Sequence, residues 1–381
     1  MPDTPEPKPS IFENDILKKF FGSPASAPKN SPAPMFTNPN LPRTQATPAP
    51  APAISQPAAP PPEVAAAPVA RKRSKPAKKE KIAKVRPPVE PEIPFVADEH
   101  FFQRRGRVFS VINQKGGCGK TTTAINLSAA LAQQGFEVLL IDIDAQANST
   151  LGYGVRVAPE ERTVYHVFRE SIFVDQNRTP FDLIRKTAVP HVSLLPSSKF
   201  LAGLAVEIPA SKDWEYILRN YLAAVKDSFH YVIIDCPPAL NALTVNALTA
   251  SDEMIIPLQT HYFSIEGMKE LFLTIRSIQE KLNPLLKNGL ILPTLFDKRA
   301  RVNREMLESI RNYFKDQVLE SIIHMNVKLV ESAMHGEPVL TYDPTARGAR
   351  DYRSLAREVI LKDDQLFNVK AENVLAKFIL Q

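Results

Sequence analysis

One stretch, Val108 to Thr123 (VFSVINQKGGCGKTTT), limits what this chain can fold into more than any other part of it. The apolar, β-branched run from Val108 to Ile112 reads as a buried strand, and a glycine-rich turn carries it into a helical pattern that begins near Lys120. Strand, glycine turn and helix in that order build a cradle for phosphate. Gly116, Gly117 and Gly119 lack a Cβ, so the backbone N–H groups of the turn can curl around an anion, and the helix after them points its positive end at the same place. In such a loop Lys120 reaches the β- and γ-phosphates and the Thr121 hydroxyl ligates Mg²⁺, with Cys118 and Thr122 completing the nucleotide-binding run.

Two further strands lead into acids. Val138 to Ile141 is a continuous apolar run, as in a parallel sheet buried on both faces, with Asp142 and Asp144 where its C-terminal end meets the following loop. Tyr231 to Ile234 repeats the pattern and ends at Asp235, which fits the role of holding a Mg²⁺ shell through water. Val192 to Leu195, Glu253 to Leu258 and Leu290 to Leu295 also read as strands, with helical spacing over Trp214 to Val225 and Ser264 to Leu282. This alternation predicts an α/β domain with a doubly wound, mostly parallel sheet.

The phosphate loop departs from the common G-x-x-x-x-G-K-[ST] pattern, because Gln114 stands at its first glycine and a second lysine, Lys115, precedes the others. K-G-G-x-G-K-T-T is a deviant Walker A loop, and through it the chain resembles the ParA/MinD ATPases. Other segments agree: IDIDAQANST with the family's D-x-D-P-Q-x-N, PSSKFLA with P-S-x-x-x-L-A, IIDCPP with I-I-D-x-P-P, and MNVKLVES…GEPV…YDP…GA with R-N-V-R-L-x-E-A…G-x-P…Y-D-P…G-A. The resemblance spans about residues 107–361 and implies ATP and Mg²⁺ as cofactors. It implies a homodimer that closes on ATP, with Lys115 of each protomer on the other's nucleotide. Lys115, Lys120 and Asp144 are then the catalytic residues, Asp144 orienting the attacking water; Asp142 is either part of the Mg²⁺ shell or a structural partner. Ala145 and Ala147 stand where the family often has Pro and Gly, and Met325 removes one basic position while Lys328 keeps the next.

The same resemblance implies non-specific binding of double-stranded DNA. Arg350, Arg353 and Arg357 recur at i, i+3 and i+7 after Arg347, opposite an apolar face of Tyr352, Leu355, Ala356 and Val359, and with Lys328 they are the candidate phosphate contacts. A ParB-like or cargo-adaptor protein is expected to stimulate a weak basal ATPase, and the protein is expected to be cytoplasmic and nucleoid-associated. The cargo is then a chromosome, a plasmid or a protein cluster. The alternative is a MinD-like positioning ATPase held to a membrane by an amphipathic helix, for which Ile11 to Phe21 or Phe367 to Leu380 would serve.

The chain's 381 residues overstate its foldable length, since 23 of 35 prolines precede residue 99. Residues 1–98 therefore read as a disordered Pro/Ala-rich extension, 107–365 as the ATPase domain and 366–381 as a tail or helix. Lys and Arg exceed Asp and Glu by 16 to 10 in residues 1–106 and equal them, 31 to 31, in 107–381, so the net charge of +6 lies in the extension. Its basic run 71–86 is suited to polyanions, and its apolar segment 10–22 (SIFENDILKKFFG over Ser10 to Gly22) to an extra partner or a membrane surface. Two cysteines, Cys118 and Cys236, are no disulfide framework and read as belonging to a reducing cytosol. No apolar run approaches the ~18 residues of a stable membrane span.

Overall fold

A computed structural model describes residues 106–173, 179–261 and 268–379. The extension 1–98, with its segment 10–22 and basic run 71–86, lies outside the described residues. The chain runs β1 (Arg107–Val111), α1 (Lys120–Ala132), β2 (Val138–Asp142), α2 (Asn148–Gly152), α3 (Val164–Phe173), β3 (Arg185–Lys186), β4 (Val192–Leu195), α4 (Leu201–Glu207), α5 (Ile217–Val225) and β5 (Tyr231–Asp235). It continues through α6 (Ala242–Ala250), β6 (Glu253–Gln259), α7 (Met268–Lys281), β7 (Leu290–Thr294), α8 (Arg301–Phe314), α9 (Val327–His335), α10 (Val339–Tyr342) and α11 (Arg347–Ile379).

Seven strands form one sheet in the order β3-β4-β2-β5-β1-β6-β7, parallel throughout except for β3, which pairs antiparallel with β4 at the edge. Alternate residues of each strand feed opposite cores, which is why the strands read as unbroken apolar runs. Val108, Leu139, Ile141, Val232 and Ile234 pack with α3, α5, α6, α7 and α8 on one side. Phe109, Val111, Leu140, Tyr231 and Ile233 pack with α1 and α11 on the other. Pro257 is tolerated inside β6 because β1 pairs with that strand only as far as Val111↔Ile255, so no ladder bond from residue 257 is needed on that side.

The register aligns the strand ends. Asp235 lies opposite Val111 on one side and Asp142 on the other, so both acids are the last residues of their strands at the C-terminal edge of the sheet. β7 stops at Thr294 because Leu295 takes a left-handed backbone (φ 51). The helix expected from Ser264 is described from Met268 onwards, and the segment expected to begin at residue 366 continues α11 without a break.

α11 lies along α1, with Tyr352, Leu355, Ala356 and Val359 fully buried as their spacing required. The Tyr352 hydroxyl is 3.2 Å from Thr123 Oγ1, and the Asn126 Oδ1 of α1 accepts from Val339 N of α10 at 2.7 Å. The helix that opens at the phosphate loop is thus fastened to the C-terminal helices. At the end of α9, Gly336 has φ +71, and a Cβ there would meet Gly154 Cα and Leu151 O at 3.0 Å, both backbone atoms that cannot swing aside. Gly336→Ala is expected to destabilise the domain by about 2–4 kcal/mol through left-handed strain and displacement of α2 from α9. Denaturant unfolding of the two proteins measures this; a loss below about 0.5 kcal/mol would mean the contact relaxes freely.

Candidate nucleotide site

The loop between β1 and α1 is built to leave its centre empty. Gly117 and Gly119 have φ +70 and +92, a backbone for which glycine is the natural residue, and a Cβ on Gly116 or Gly117 would meet nothing within 4 Å. Side chains from neighbouring strands hold the loop from outside. Asn113 Nδ2 donates to Pro257 O (2.8 Å), its Oδ1 accepts from Lys115 N (3.0 Å), Gln259 Nε2 donates to Gly117 O (2.8 Å) and Thr294 Oγ1 donates to Cys118 O (2.8 Å). Cys118 faces inward, fully buried, so it gives the cradle only its backbone. Gly119 caps α1 without a side chain, and no acid stands in the first turn to compete with a bound anion. Lys120 folds back over the loop, 7% exposed, and donates from Nζ to Lys115 O at 3.2 Å. Lys115 is half-buried at the loop's outer side.

Three acids gather beside this cradle, each in a different state. Asp235 is fully buried; Ser149 Oγ donates to its Oδ2 at 2.7 Å, while Oδ1 has no hydrogen-bond partner. Burial pushes its carboxyl up to about 6, the Ser149 and Thr121 hydroxyls oppose the rise, Asp144 adds to it and Lys120 opposes it. A lone buried carboxylate oxygen within reach of the Thr121 hydroxyl is what a water-mediated Mg²⁺ shell would use, and Mg²⁺ characteristically keeps several waters. Among the described residues no group of three or more His, Cys, Asp or Glu side chains is placed to hold a metal ion.

Asp142 is fully committed to the protein: Oδ1 accepts from Asp144 N (3.1 Å), and Oδ2 accepts from Thr150 N and Thr150 Oγ1 (both 2.8 Å). Burial and the neighbouring Asp235 push its carboxyl up to about 8, against those three donors. Of the two roles open to it in the sequence, this is the geometry of a structural partner that shapes the loop carrying Asp144. Asp144 is 9% exposed; its Oδ1 accepts from Gln146 N (3.0 Å), and its carbonyl accepts from Ser197 Oγ (2.6 Å) and Ala147 N (2.9 Å). Ala147 holds a left-handed backbone (φ 52), a conformation that favours glycine. Ser197 is the serine of the P-S-x-x-x-L-A match, though that match did not tell what it holds, and Thr150 was not marked by any motif; Ser197 N also donates to Thr150 Oγ1 (2.9 Å).

The basic candidates stand apart from this cluster. Arg350 is exposed and Arg347, Arg353 and Arg357 are half-buried along α11. Arg353 donates from Nε to Gln133 Oε1 (3.2 Å) and from NH1 to Pro344 O (2.9 Å). Lys328, on α9, is paired with Glu331 at 2.7 Å, which offsets part of its charge. No helix among the described residues is long and apolar enough to cross a membrane.

A strand, glycine loop and helix holding a buried lysine, with acids from two neighbouring strand ends, define a P-loop nucleoside-triphosphate-binding α/β protein. A family model described as an AAA domain matches residues 106–288. The sporulation initiation inhibitor protein Soj of Bacillus subtilis is 42% identical over 254 residues, covering 67% of this chain and 98% of that protein. The chromosome partitioning protein ParA of Myxococcus xanthus is 40% identical over 258 residues, 68% of this chain and 89% of that protein. The crystal structure of cobyrinic acid a,c-diamide synthase from Mycobacterium smegmatis with bound ADP and magnesium aligns with a TM-score of 0.57 at 33% identity, covering 66% of this chain and 92% of that one. The chain belongs to the ParA/Soj-type partition ATPases of the deviant Walker A P-loop family.

Proposed function

We propose that this protein is a DNA-bound switch whose ATP cycle positions a chromosome, plasmid or protein cluster. ATP and Mg²⁺ are its cofactors. The observation that carries the reading is Asp235 Oδ1, a buried carboxylate oxygen left without a protein donor beside Thr121 and Lys120. Gly116 to Thr122 bind the triphosphate through backbone N–H groups, Lys120 neutralises the β- and γ-oxygens, and Thr121 with Asp235, through water, holds the metal. Mg²⁺ supplies charge stabilisation on the phosphate oxygens. Asp144 holds and orients the water that attacks the γ-phosphate, its loop fixed by Asp142, Thr150 and Ser197. Lys115 reaches the nucleotide of a second protomer, so that two chains close on ATP and part after hydrolysis.

The closed dimer binds duplex DNA without sequence preference through Lys328, Arg347, Arg350, Arg353 and Arg357, phosphate by phosphate. A ParB-like or cargo-adaptor protein accelerates a slow basal hydrolysis, and the protein associates with the nucleoid in the cytoplasm.

DNA binding by full-length protein with ATP, with ADP and without nucleotide tests this, beside Asp144→Ala and Arg350→Glu/Arg353→Glu. Asp144→Ala is expected to bind ATP, stay on DNA and hydrolyse at least ~100-fold more slowly. The charge reversal should weaken ATP-dependent binding by ~10-fold or more and flatten its salt dependence. Binding that ignores the nucleotide and survives the reversal overturns the switch; recruitment to anionic vesicles in its place selects the MinD-like reading.

A further inference from the structure

A groove of about 620 Å³ opens beside the Asp144 loop, and nothing in the nucleotide chemistry uses it. Its apolar walls are formed by Leu151, Val157, Tyr165 and Phe200, and the cations Arg169 and Lys199 stand on it. Leu151 and Phe200 are 50% and 49% exposed, which is unusual for large apolar side chains that share a concavity. The volume falls in the ~300–1,000 Å³ range that encloses a small ligand or a few large side chains. Two of its walls belong to the loops that position Asp144: Ala145 to Ala147 on one side and Ser197 to Phe200 on the other, joined by the hydrogen bond from Ser197 Oγ to Asp144 O. An occupant would therefore touch both loops.

The chain carries a segment of matching chemistry outside the described residues. Ser10 to Phe21 (SIFENDILKKFF) offers Ile11, Phe12, Ile16, Leu17, Phe20 and Phe21 for the apolar walls, and its mixed charges, Glu13 and Asp15 with Lys18 and Lys19, meet a rim that is mixed as well, Arg169 and Lys199 with Glu161. Residues 22–105 separate it from Gly106, 84 residues whose fully extended length would be roughly 280 Å, so chain length sets no limit on its reach. A folded unit of about 275 residues has a radius of gyration of only ~19 Å, so the tether reaches the ligand edge of the sheet and supplies an effective concentration up to about millimolar.

We infer that residues 10–21 dock in this groove, intramolecularly, against Tyr165 and Phe200. The segment bears on the loop of Asp144, and its consequence for hydrolysis rests on the role proposed for that residue; the docking does not.

Hydrogen exchange of full-length protein without nucleotide, compared with full-length Phe20→Ser/Phe21→Ser, is the test. Residues 155–169 and 197–200 are expected to exchange about tenfold more slowly in the unaltered chain. A synthetic peptide of residues 8–23 should restore the protection to the double variant, and Arg169→Glu/Phe200→Ser should remove it from the otherwise unaltered chain. Equal exchange in the two chains overturns the inference. So does protection that falls on dilution, which assigns the segment to a second copy, or protection confined to the exposed apolar face of Val327, Val330 and Met334. Equal exchange together with Phe20- and Phe21-dependent binding to anionic phosphatidylglycerol vesicles assigns the segment to a membrane surface. Failure of the DNA switch would leave the exchange pattern intact, so the two readings fail separately.

Discussion

Replacing Lys120 with alanine is expected to lower ATP hydrolysis by about three orders of magnitude without lowering the melting temperature. The two effects have one cause. Lys120 is the first residue of α1, 7% exposed, and among the described residues its ammonium has no ion pair, only a hydrogen bond to Lys115 O. In the unliganded protein that one hydrogen bond and the attraction of the Asp235 carboxyl are all that the ammonium has, and they offset the cost of burying it only in part, so removing the charge changes the stability of the apo protein little. With nucleotide bound, the same ammonium lies against developing charge in a dry cradle, where one electrostatic contact contributes about 4 kcal/mol, a factor of ~10³ in rate. Steady-state hydrolysis with thermal unfolding of the apo protein checks both halves. Near-normal hydrolysis in Lys120→Ala would show that the loop does not hold the reacting phosphate; a drop of several degrees in the apo melting temperature would show that Lys120 is a structural cation.

Much of this site was legible because its chemistry is local in sequence. The loop glycines, Lys120 and Thr121 lie within six residues, and the apolar runs that end at Asp142 and Asp235 are long enough to place both acids at one sheet edge. What stayed illegible is carried by contacts between distant residues. Nothing in the local pattern tells that Ser197 reaches 53 positions back to the Asp144 carbonyl, or that Thr150 donates twice to one oxygen of Asp142. The antiparallel edge strand β3 is two residues long, too short for any periodicity to show. The length of α11 was hidden for a different reason: the family resemblance stops near residue 361, so Phe367 to Leu380 read as a separate segment, although no glycine or proline after Gly348 breaks the helix.

Arg107 is the other residue that sequence alone leaves mute, and Arg107→Met is expected to lower stability by about 3–5 kcal/mol at pH 7, on the order of 10 °C in melting temperature. Its guanidinium sits at the start of β1, opposite the nucleotide edge, 2.6 Å from Asp363 Oδ1 on α11, 3.2 Å from Glu253 Oε2 on β6 and 3.4 Å from Asp252 Oδ2. It also lies 5.2 Å from the centre of the Phe109 ring. Asp252, the most exposed partner, contributes little; the energy lies with Glu253 and Asp363, each 9% exposed, because removing the cation leaves two buried carboxylates supported by Lys287, 3.8 Å from Glu253, and by the charge of Lys362. Burial already holds the Glu253 carboxyl above its ordinary value, opposed by Lys287 and Arg107. Without Arg107 that value rises further, so the folded variant binds protons more tightly than its unfolded chain. Its stability is then fullest below the ordinary glutamate range near 4.5 and is lost as pH climbs through the raised value. The deficit relative to the unaltered protein must therefore shrink as pH falls from 8 towards 5. Denaturant unfolding across that range distinguishes the outcomes: a loss under about 1 kcal/mol, or one that is flat with pH, would mean that water solvates these acids and that α11 is held by Tyr352, Leu355 and Val359 alone.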